Sequence, residues 1–116
     1  MNLVDSSGWL EYFAKPIKAI QDLVVPSLCV FEVFKNILRQ RKENSALQAV
    51  ALMEQGLVIN LDTPIALSAA RLGLEFKLPL ADSVILATAR TNDAIIWTQD
   101  ADFKSIPGVK FVPKRK

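Results

Sequence analysis

The sequence contains no histidine, and this absence excludes several classes of enzyme. Ribonucleases with a histidine acid/base pair, hydrolases with a Ser-His-Asp triad and zinc sites with histidine ligands all need an imidazole ring. If this chain hydrolyses a bond on its own, it must activate water in another way. A metal ion held by oxygen ligands is the route that remains.

Cysteine is almost as scarce, since Cys29 is the only one. No disulfide can form within the chain, and the apolar neighbours Leu28, Val30 and Phe31 predict that Cys29 is a reduced packing residue. The sequence also lacks the basic segment and apolar run of a signal peptide, and no apolar stretch reaches the roughly 18 residues of a membrane span. We therefore expect a cytoplasmic protein that makes no contact with a membrane.

Length and composition predict one domain, residues 1–116, because 116 residues of which 51% are hydrophobic can build one substantial core. The net charge is +2, and three of the 14 basic residues form a basic tail at positions 114–116. Without that tail, 11 basic and 12 acidic residues leave a net charge of −1. Four of these 11 basic residues lie close together at Lys35, Arg39, Arg41 and Lys42, and a second basic patch runs from Lys104 into the tail. These patches form either contacts for phosphates, above all at Lys35 and Arg39, or a solvated helix end and a solvated tail.

The hydrophobic pattern predicts strands that alternate with helices. Strands are predicted at residues 2–4, 23–25, 58–61, 94–97 and 109–112. Helices are predicted after a cap at Ser6 or Ser7, at residues 17–22, after Ser27, at residues 45–55, from Thr63 onward and at residues 80–91. Such alternation implies right-handed βαβ units and a parallel sheet with helices on both faces, which is an α/β fold.

Acidic residues lie where predicted strands end or the following helices begin. Asp5 and Asp100 follow strands, while Glu32 and Asp82 lie in the early turns of helices. Ligands of parallel sheets bind beyond the carboxyl ends of the strands, and oxygen ligands without imidazole suit Mg²⁺ or Mn²⁺. A cation would also relieve the repulsion between carboxylates, which is roughly 4 kcal/mol for a pair about 4 Å apart. The first hypothesis is therefore metal-dependent phosphodiester chemistry.

Asp62 also follows a predicted strand and competes for the same site. Because Thr63 and Pro64 come next, we expect Asp62 or Thr63 to cap the following helix instead. In a receiver-type signalling domain Asp62 would be phosphorylated, with Asp5 and Thr98 nearby. Receivers need paired acids after the first strand, where this chain has one acid followed by two serines.

The aromatic residues of the first and second long helices could in principle stack on nucleic-acid bases. Their helical spacing instead predicts contacts in the core or in a dimer. The residues concerned are Trp9, Tyr12, Phe13, Phe31 and Phe34.

Four segments occur in a characteristic order: NLVDSS at residues 2–7, EVFK at 32–35, LADSVILATA at 80–89 and WTQDADF at 97–103. They resemble the successive motifs of PIN domains, and in particular of the VapC toxins of VapBC toxin–antitoxin pairs. The resemblance implies a three-layer α/β/α sandwich around a central parallel β-sheet. It also implies a Mg²⁺- or Mn²⁺-dependent endoribonuclease that forms a homodimer and is inhibited by a VapB-like antitoxin.

Residue roles follow from the resemblance at the matching positions. It implies that Asp5, Glu32, Asp82 and Asp100 are catalytic and that Asp5, Asp82 and Asp100 hold one or two metal ions. Supporting roles go to Ser6, Thr98 and Asp102. The expected reaction is RNA hydrolysis by activated water, which leaves a 5′-phosphate and a 3′-hydroxyl. The alternative is a catalytically silent PIN-fold module that binds RNA or a protein.

Overall fold

A computed structural model describes residues 1–12, 20–40 and 42–112. Its described part contains five strands in one parallel sheet: β1 (Asn2–Val4), β2 (Leu23–Pro26), β3 (Leu57–Ile59), β4 (Ile95–Thr98) and β5 (Val109–Phe111). All five predicted strands are therefore present, although β3 ends two residues earlier than predicted. The predicted tail 114–116, Arg41, Phe13 and the first part of the predicted helix 17–22 lie outside the described residues.

The described ranges also contain five α-helices: α1 (Ser6–Tyr12), α2 (Ser27–Arg39), α3 (Glu43–Met53), α4 (Thr63–Phe76) and α5 (Leu80–Thr91). Within the same ranges, two short 3₁₀ helices cover Ile20–Asp22 and Ala101–Phe103. Because crossovers between parallel strands are right-handed, α1 to α3 cover one face of the sheet, and α4 and α5 cover the other. The predicted α/β/α sandwich is confirmed.

The start of α4 shows how the local sequence sets an element boundary. Asp62 is its N-cap, since Asp62 Oδ1 accepts a hydrogen bond of 2.9 Å from the N–H of Ile65. Pro64 lies in the first turn, where its missing N–H costs nothing. The capping prediction for Asp62 is confirmed. The expectation that a strand ends at this residue is wrong, because β3 ends at Ile59.

Among the described residues, the core consists of a main cluster and a smaller second cluster of Ile65, Ala69, Val84 and Ala87 between α4 and α5. Trp9, Met53 and Phe103 are fully buried, and helix α5 is buried from Ser83 to Ala89. Replacing a buried aromatic side chain such as Phe103 with alanine typically costs about 3–5 kcal/mol. The predicted core position of Trp9 is confirmed, whereas Phe31 is 59% exposed and does not belong to the core.

Cys29 is free and buried in this core, as predicted. Burial raises the pKa of its thiol to about 12, because the thiolate would lose its hydration. Cys29 is therefore a packing residue rather than a nucleophile. Among the described residues, no helix is both long enough and apolar enough to cross a bilayer.

The order of the strands indicates where a ligand would bind. The sheet runs β3-β2-β1-β4-β5, so the chain proceeds from β1 to one side and later returns to the other side through β4. At such a reversal the loops beyond the strands diverge and leave a crevice. Val4 pairs with Trp97, which brings the residues that follow β1 next to the end of β4.

Candidate functional site

A pocket of about 360 Å³ opens at this crevice. Its lining residues are Asp5, Ser6, Ser7, Glu32, Asp82, Ile85, Gln99 and Asp100. The structure thus brings together the four acidic residues that the sequence indicated, from the end of β1, from α2, from α5 and from the loop after β4. Asp62 is not among the lining residues.

Asp5 is buried at the base of this pocket, and three donors hold its carboxylate. Oδ1 accepts hydrogen bonds of 2.9 Å from the Ser7 hydroxyl and from the N–H of Gly8, while Oδ2 accepts one from the Thr98 hydroxyl. The bond from Gly8 makes Asp5 the cap of α1. The predicted cap at Ser6 or Ser7 is wrong. Helix α1 already begins at Ser6, so both serines lie inside the helix rather than before it.

Gly8 allows the first turn of α1 to lie against β1. A Cβ atom at this position would lie 2.4 Å from Val4 Cγ1 and 3.3 Å from Asp5 Oδ1. Any side chain would therefore push α1 away from the strand or turn the Asp5 carboxylate. The absence of a side chain at Gly8 helps to fix the direction in which Asp5 points.

Thr98 connects the two strand ends that form the pocket. It is buried at the end of β4, donates its hydroxyl hydrogen to Asp5 and accepts a hydrogen bond of 2.9 Å from the N–H of Asp100. One side chain thus orients the Asp5 carboxylate and fixes the start of the loop that carries Asp100.

Ser6 makes a similar connection between α1 and α2. Its hydroxyl donates a hydrogen bond of 2.6 Å to Glu32 Oε1, across 26 residues of sequence. Glu32 is half-buried, and this contact directs it towards the pocket that both residues line.

A tight group of three carboxylates forms the other wall of the site. One oxygen each from Asp82, Asp100 and Asp102 lies within 4.8 Å of the other two. Asp100 Oδ1 also accepts a hydrogen bond of 2.9 Å from the N–H of Asp102, which caps the short 3₁₀ helix after β4. The resemblance left Asp102 as either an extra metal ligand or a supporting group, and its carboxylate lies close enough to those of Asp82 and Asp100 to share a cation with them.

Partial burial and the neighbouring carboxylates raise the pKa of Asp82 to about 7. Burial contributes most, followed by the charge of Asp100, a hydrogen bond with Asp100, and the charges of Asp102 and Asp5. Carboxylates that oppose each other's ionisation in this way suit a divalent cation, which would remove the repulsion. The donor set, oxygen atoms only, fits Mg²⁺ or Mn²⁺.

The remaining predicted residues lie beside the pocket. Lys35 and Arg39 are exposed on α2 and line a neighbouring groove together with Ser6, Ser7 and Glu32. Sequence reasoning did not identify Ser7 or Gln99 as lining residues. The signal for Ser7 was present, since a hydroxyl two residues after a capping acid can donate to that acid.

Comparison with known proteins places this geometry in a family. Residues 3–109 match the family model of the PIN domain. A toxin–antitoxin complex from Klebsiella pneumoniae is 24% identical over 95% of this chain and 96% of that chain, with a TM-score of 0.77. A DNA-bound VapBC from Salmonella typhimurium is 15% identical over 97% and 98%, with a TM-score of 0.78.

The VapC20 toxin of Mycobacterium tuberculosis, described as cleaving the sarcin–ricin loop, is also similar in fold. It is 16% identical over the whole of both chains, with a TM-score of 0.73. A search of curated proteins finds no match. At these identities the similar structures establish the fold, and the match to the family model covers nearly all of the chain. The chain belongs to the PIN domain family.

Proposed function

We propose that this protein is a Mg²⁺- or Mn²⁺-dependent endoribonuclease and the toxin of a toxin–antitoxin pair. The observation that supports this most strongly is the convergence of Asp5, Glu32, Asp82 and Asp100 in one pocket of a PIN domain. Among the similar structures are a toxin–antitoxin complex, a VapBC complex and a toxin that cleaves the sarcin–ricin loop.

The cation is proposed to bind to Asp82, Asp100 and Asp102, with Asp5 beside them. When bound, it supplies charge that polarises a phosphate and lowers the pKa of water. The three carboxylates have the right chemistry and spacing to bind one cation together.

The protein's own residues have separate tasks in this scheme. Asp5, held by three donors and buried, presents a fixed negative charge at the base of the pocket. Thr98 bonds to both Asp5 and the N–H of Asp100 and so fixes the position of the Asp100 loop relative to Asp5. Glu32, oriented by Ser6, positions the attacking water and accepts its proton. In-line attack of this water on the scissile phosphorus breaks the P–O3′ bond, and the departing O3′ takes a proton from solvent, so the products carry a 5′-phosphate and a 3′-hydroxyl.

The test is cleavage of a labelled RNA with Mg²⁺, Mn²⁺ or EDTA, followed by analysis of the product ends. We expect cleavage only with a divalent metal, and products with a 5′-phosphate. Asp5→Asn and Asp82→Asn should each lower the rate by about a hundredfold or more, because each removes charge from the reacting centre. Asp93→Asn is the matched control, since Asp93 is exposed in the turn after α5.

Two outcomes would contradict the proposal. A product with a 2′,3′-cyclic phosphate would show that the RNA's own hydroxyl is the nucleophile. Binding of RNA without cleavage in Mn²⁺ would favour the catalytically silent module.

The proposal includes two protein partners, a second copy of the chain and a VapB-like antitoxin. A pocket of about 330 Å³ at α4 and α5 is lined mainly by apolar residues, and three of them are exposed leucines: Leu61 (49% exposed), Leu74 (86%) and Leu80 (80%). Leu67, one helical repeat of seven residues before Leu74 on α4, is also 56% exposed. A contiguous apolar surface of this kind is unusual on a monomer, and a twofold dimer can bury it against itself.

A further inference from the structure

A second groove adjoins the acidic pocket and continues away from it. It has a volume of about 330 Å³ and shares Ser6, Ser7 and Glu32 with the lining of the pocket. The part beyond these shared residues is lined by Leu10, Phe31, Lys35, Asn36 and Arg39. We call this part the side groove. A polymer whose reacting group lies in the acidic pocket can therefore extend into the side groove without leaving the surface.

The side groove carries an exposed aromatic ring between the pocket and two cations. Phe31 is 59% exposed, and Lys35 Nζ lies 5.6 Å from the centroid of its ring. Residues 31, 35 and 39 are spaced by four, so Phe31, Lys35 and Arg39 form one stripe along α2. Phe34, on the same helix, is instead partly buried. Phe31 is thus an apolar ring that the core does not use.

This combination matches what single-stranded nucleic acid requires. Proteins that bind single strands combine a basic groove for the backbone with aromatic rings on which bases stack. Lys35 and Arg39 supply the positive charge, and Phe31 supplies the ring. A peptide would be held by apolar contacts as well, but two cations in line with a phosphodiester site favour a polyanion.

We propose that the side groove binds single-stranded RNA, with one base stacked on Phe31 and neighbouring phosphates on Lys35 and Arg39. The inference rests on the proposed function in that the scissile phosphate of the same strand occupies the acidic pocket. It goes further because Phe31 would select single-stranded over double-stranded RNA. A flexible single strand can place an unpaired base on the ring, whereas a continuous duplex keeps its bases stacked on one another.

Affinity for RNA without cleavage tests the groove. A fluorescein-labelled single-stranded RNA octamer is titrated with protein in EDTA, and anisotropy gives the dissociation constant. Phe31→Ala should weaken binding by about tenfold, within the range found for loss of one stacked base. Phe31→Trp should bind at least as tightly as the original chain, because tryptophan keeps a stacking surface. Leu47→Ala is the control, since it removes an exposed side chain from α3 and should change the constant by less than about twofold.

A second readout separates the groove from the chemistry. Calorimetric titration with Mn²⁺ reports on the carboxylates of the acidic pocket and involves no aromatic ligand, so Phe31→Ala should bind Mn²⁺ with the affinity of the original chain. If the original chain binds no Mn²⁺ and cleaves no RNA, the proposed function fails, and the titration in EDTA still decides the side groove.

The inference is overturned if Phe31→Ala binds the octamer within twofold of the original chain. It is also overturned if Phe31→Trp binds as poorly as Phe31→Ala. Phe31→Ala could instead keep its affinity for RNA but bind the purified product of an adjacent small reading frame more weakly than the original chain does. That result would assign the side groove to a protein partner.

Discussion

At the scale of single residues, the most informative group is the Asp82 carboxyl. It lies near Asp5, Asp100 and Asp102, and partial burial removes some of the water that would stabilise its charge. In the metal-free protein the pKa of Asp82 rises from 3.8 to about 7. Near neutral pH this carboxyl is therefore partly protonated, and the proton reduces the same repulsion that we propose a cation relieves.

The raised pKa predicts how the stability of the metal-free protein depends on pH. Between about pH 4 and pH 7 the folded state binds more protons at Asp82 than the unfolded state, so the free energy of unfolding falls as the pH rises through this window. Asp82→Asn removes the group that causes this loss of stability. In EDTA, the melting temperature of the variant should therefore rise relative to that of the original chain between pH 4 and pH 8.

The control for this prediction is Asp93→Asn, which makes the same chemical change in an exposed turn. Its melting temperature should keep a constant offset from that of the original chain across the same range. An offset for Asp82→Asn that does not change with pH would show that the Asp82 carboxyl titrates normally.

At the scale of elements, the site depends on how the ends of β1 and β4 are joined. The backbone ladder brings the strands together, but the buried Thr98 hydroxyl makes the connection between Asp5 and the Asp100 loop. Both of its partners would lose a hydrogen bond if the hydroxyl were removed. Asp5 Oδ2 would then lack this partner inside a buried residue, and leaving a buried acceptor unpaired costs free energy.

Thr98→Val, which keeps the shape of the side chain, isolates this connection. We expect the free energy of unfolding to fall by about 1–3 kcal/mol, as measured by urea denaturation. RNA cleavage should fall by about tenfold or more at temperatures where the variant is folded, because the Asp5 carboxylate loses its orientation. Thr98→Ser should restore most of both properties. Cleavage by Thr98→Val at the original rate would rule out an orienting role.

At the scale of the whole molecule, charged and apolar surfaces are segregated. The carboxylates occupy the crevice at the carboxyl ends of β1 and β4, Lys35 and Arg39 flank it on α2, and exposed leucines lie on α4 and α5. A net charge of +2 conceals this separation. Each surface suits a different partner: a metal ion, a polyanion and a second copy of the chain.

The apolar surface predicts the oligomeric state. Size-exclusion chromatography with light scattering should show a dimer, and Leu74→Lys should shift it to a monomer, because a charge would be buried at the centre of the interface. Leu47→Lys places the same charge at another exposed leucine, on α3 and away from this surface, and should leave the dimer intact. A monomeric original chain, or dissociation by Leu47→Lys alone, would contradict this assignment.

The fold class and the convergence of the acids could be predicted from sequence, because both follow from short-range patterns. Alternation of strands and helices implies a parallel sheet, and acids such as Asp5 and Asp100 at strand ends must then meet at one edge. The cap of α1 was predicted wrongly, since it depends on a one-residue difference in where the helix begins. Helix ends are rarely predicted that closely.

The surface of α2 was also beyond sequence reasoning. Phe31 and Phe34 both look like core residues by type and spacing, yet only Phe34 is even partly buried. Which ring the core receives depends on how α1, α2 and α5 pack together, and no local pattern records that packing. The proximity of Asp102 to Asp82 has the same origin, because it needs the short 3₁₀ helix after β4.

The central claim is that one pocket of carboxylates holds the divalent cation, and calorimetric titration of the metal-free protein with Mn²⁺ tests it most directly. We predict saturable binding that Asp82→Asn and Asp100→Asn each weaken by about tenfold or more, while Asp93→Asn binds like the original chain. Equal affinity in all four proteins, or no binding by the original chain, would contradict the claim.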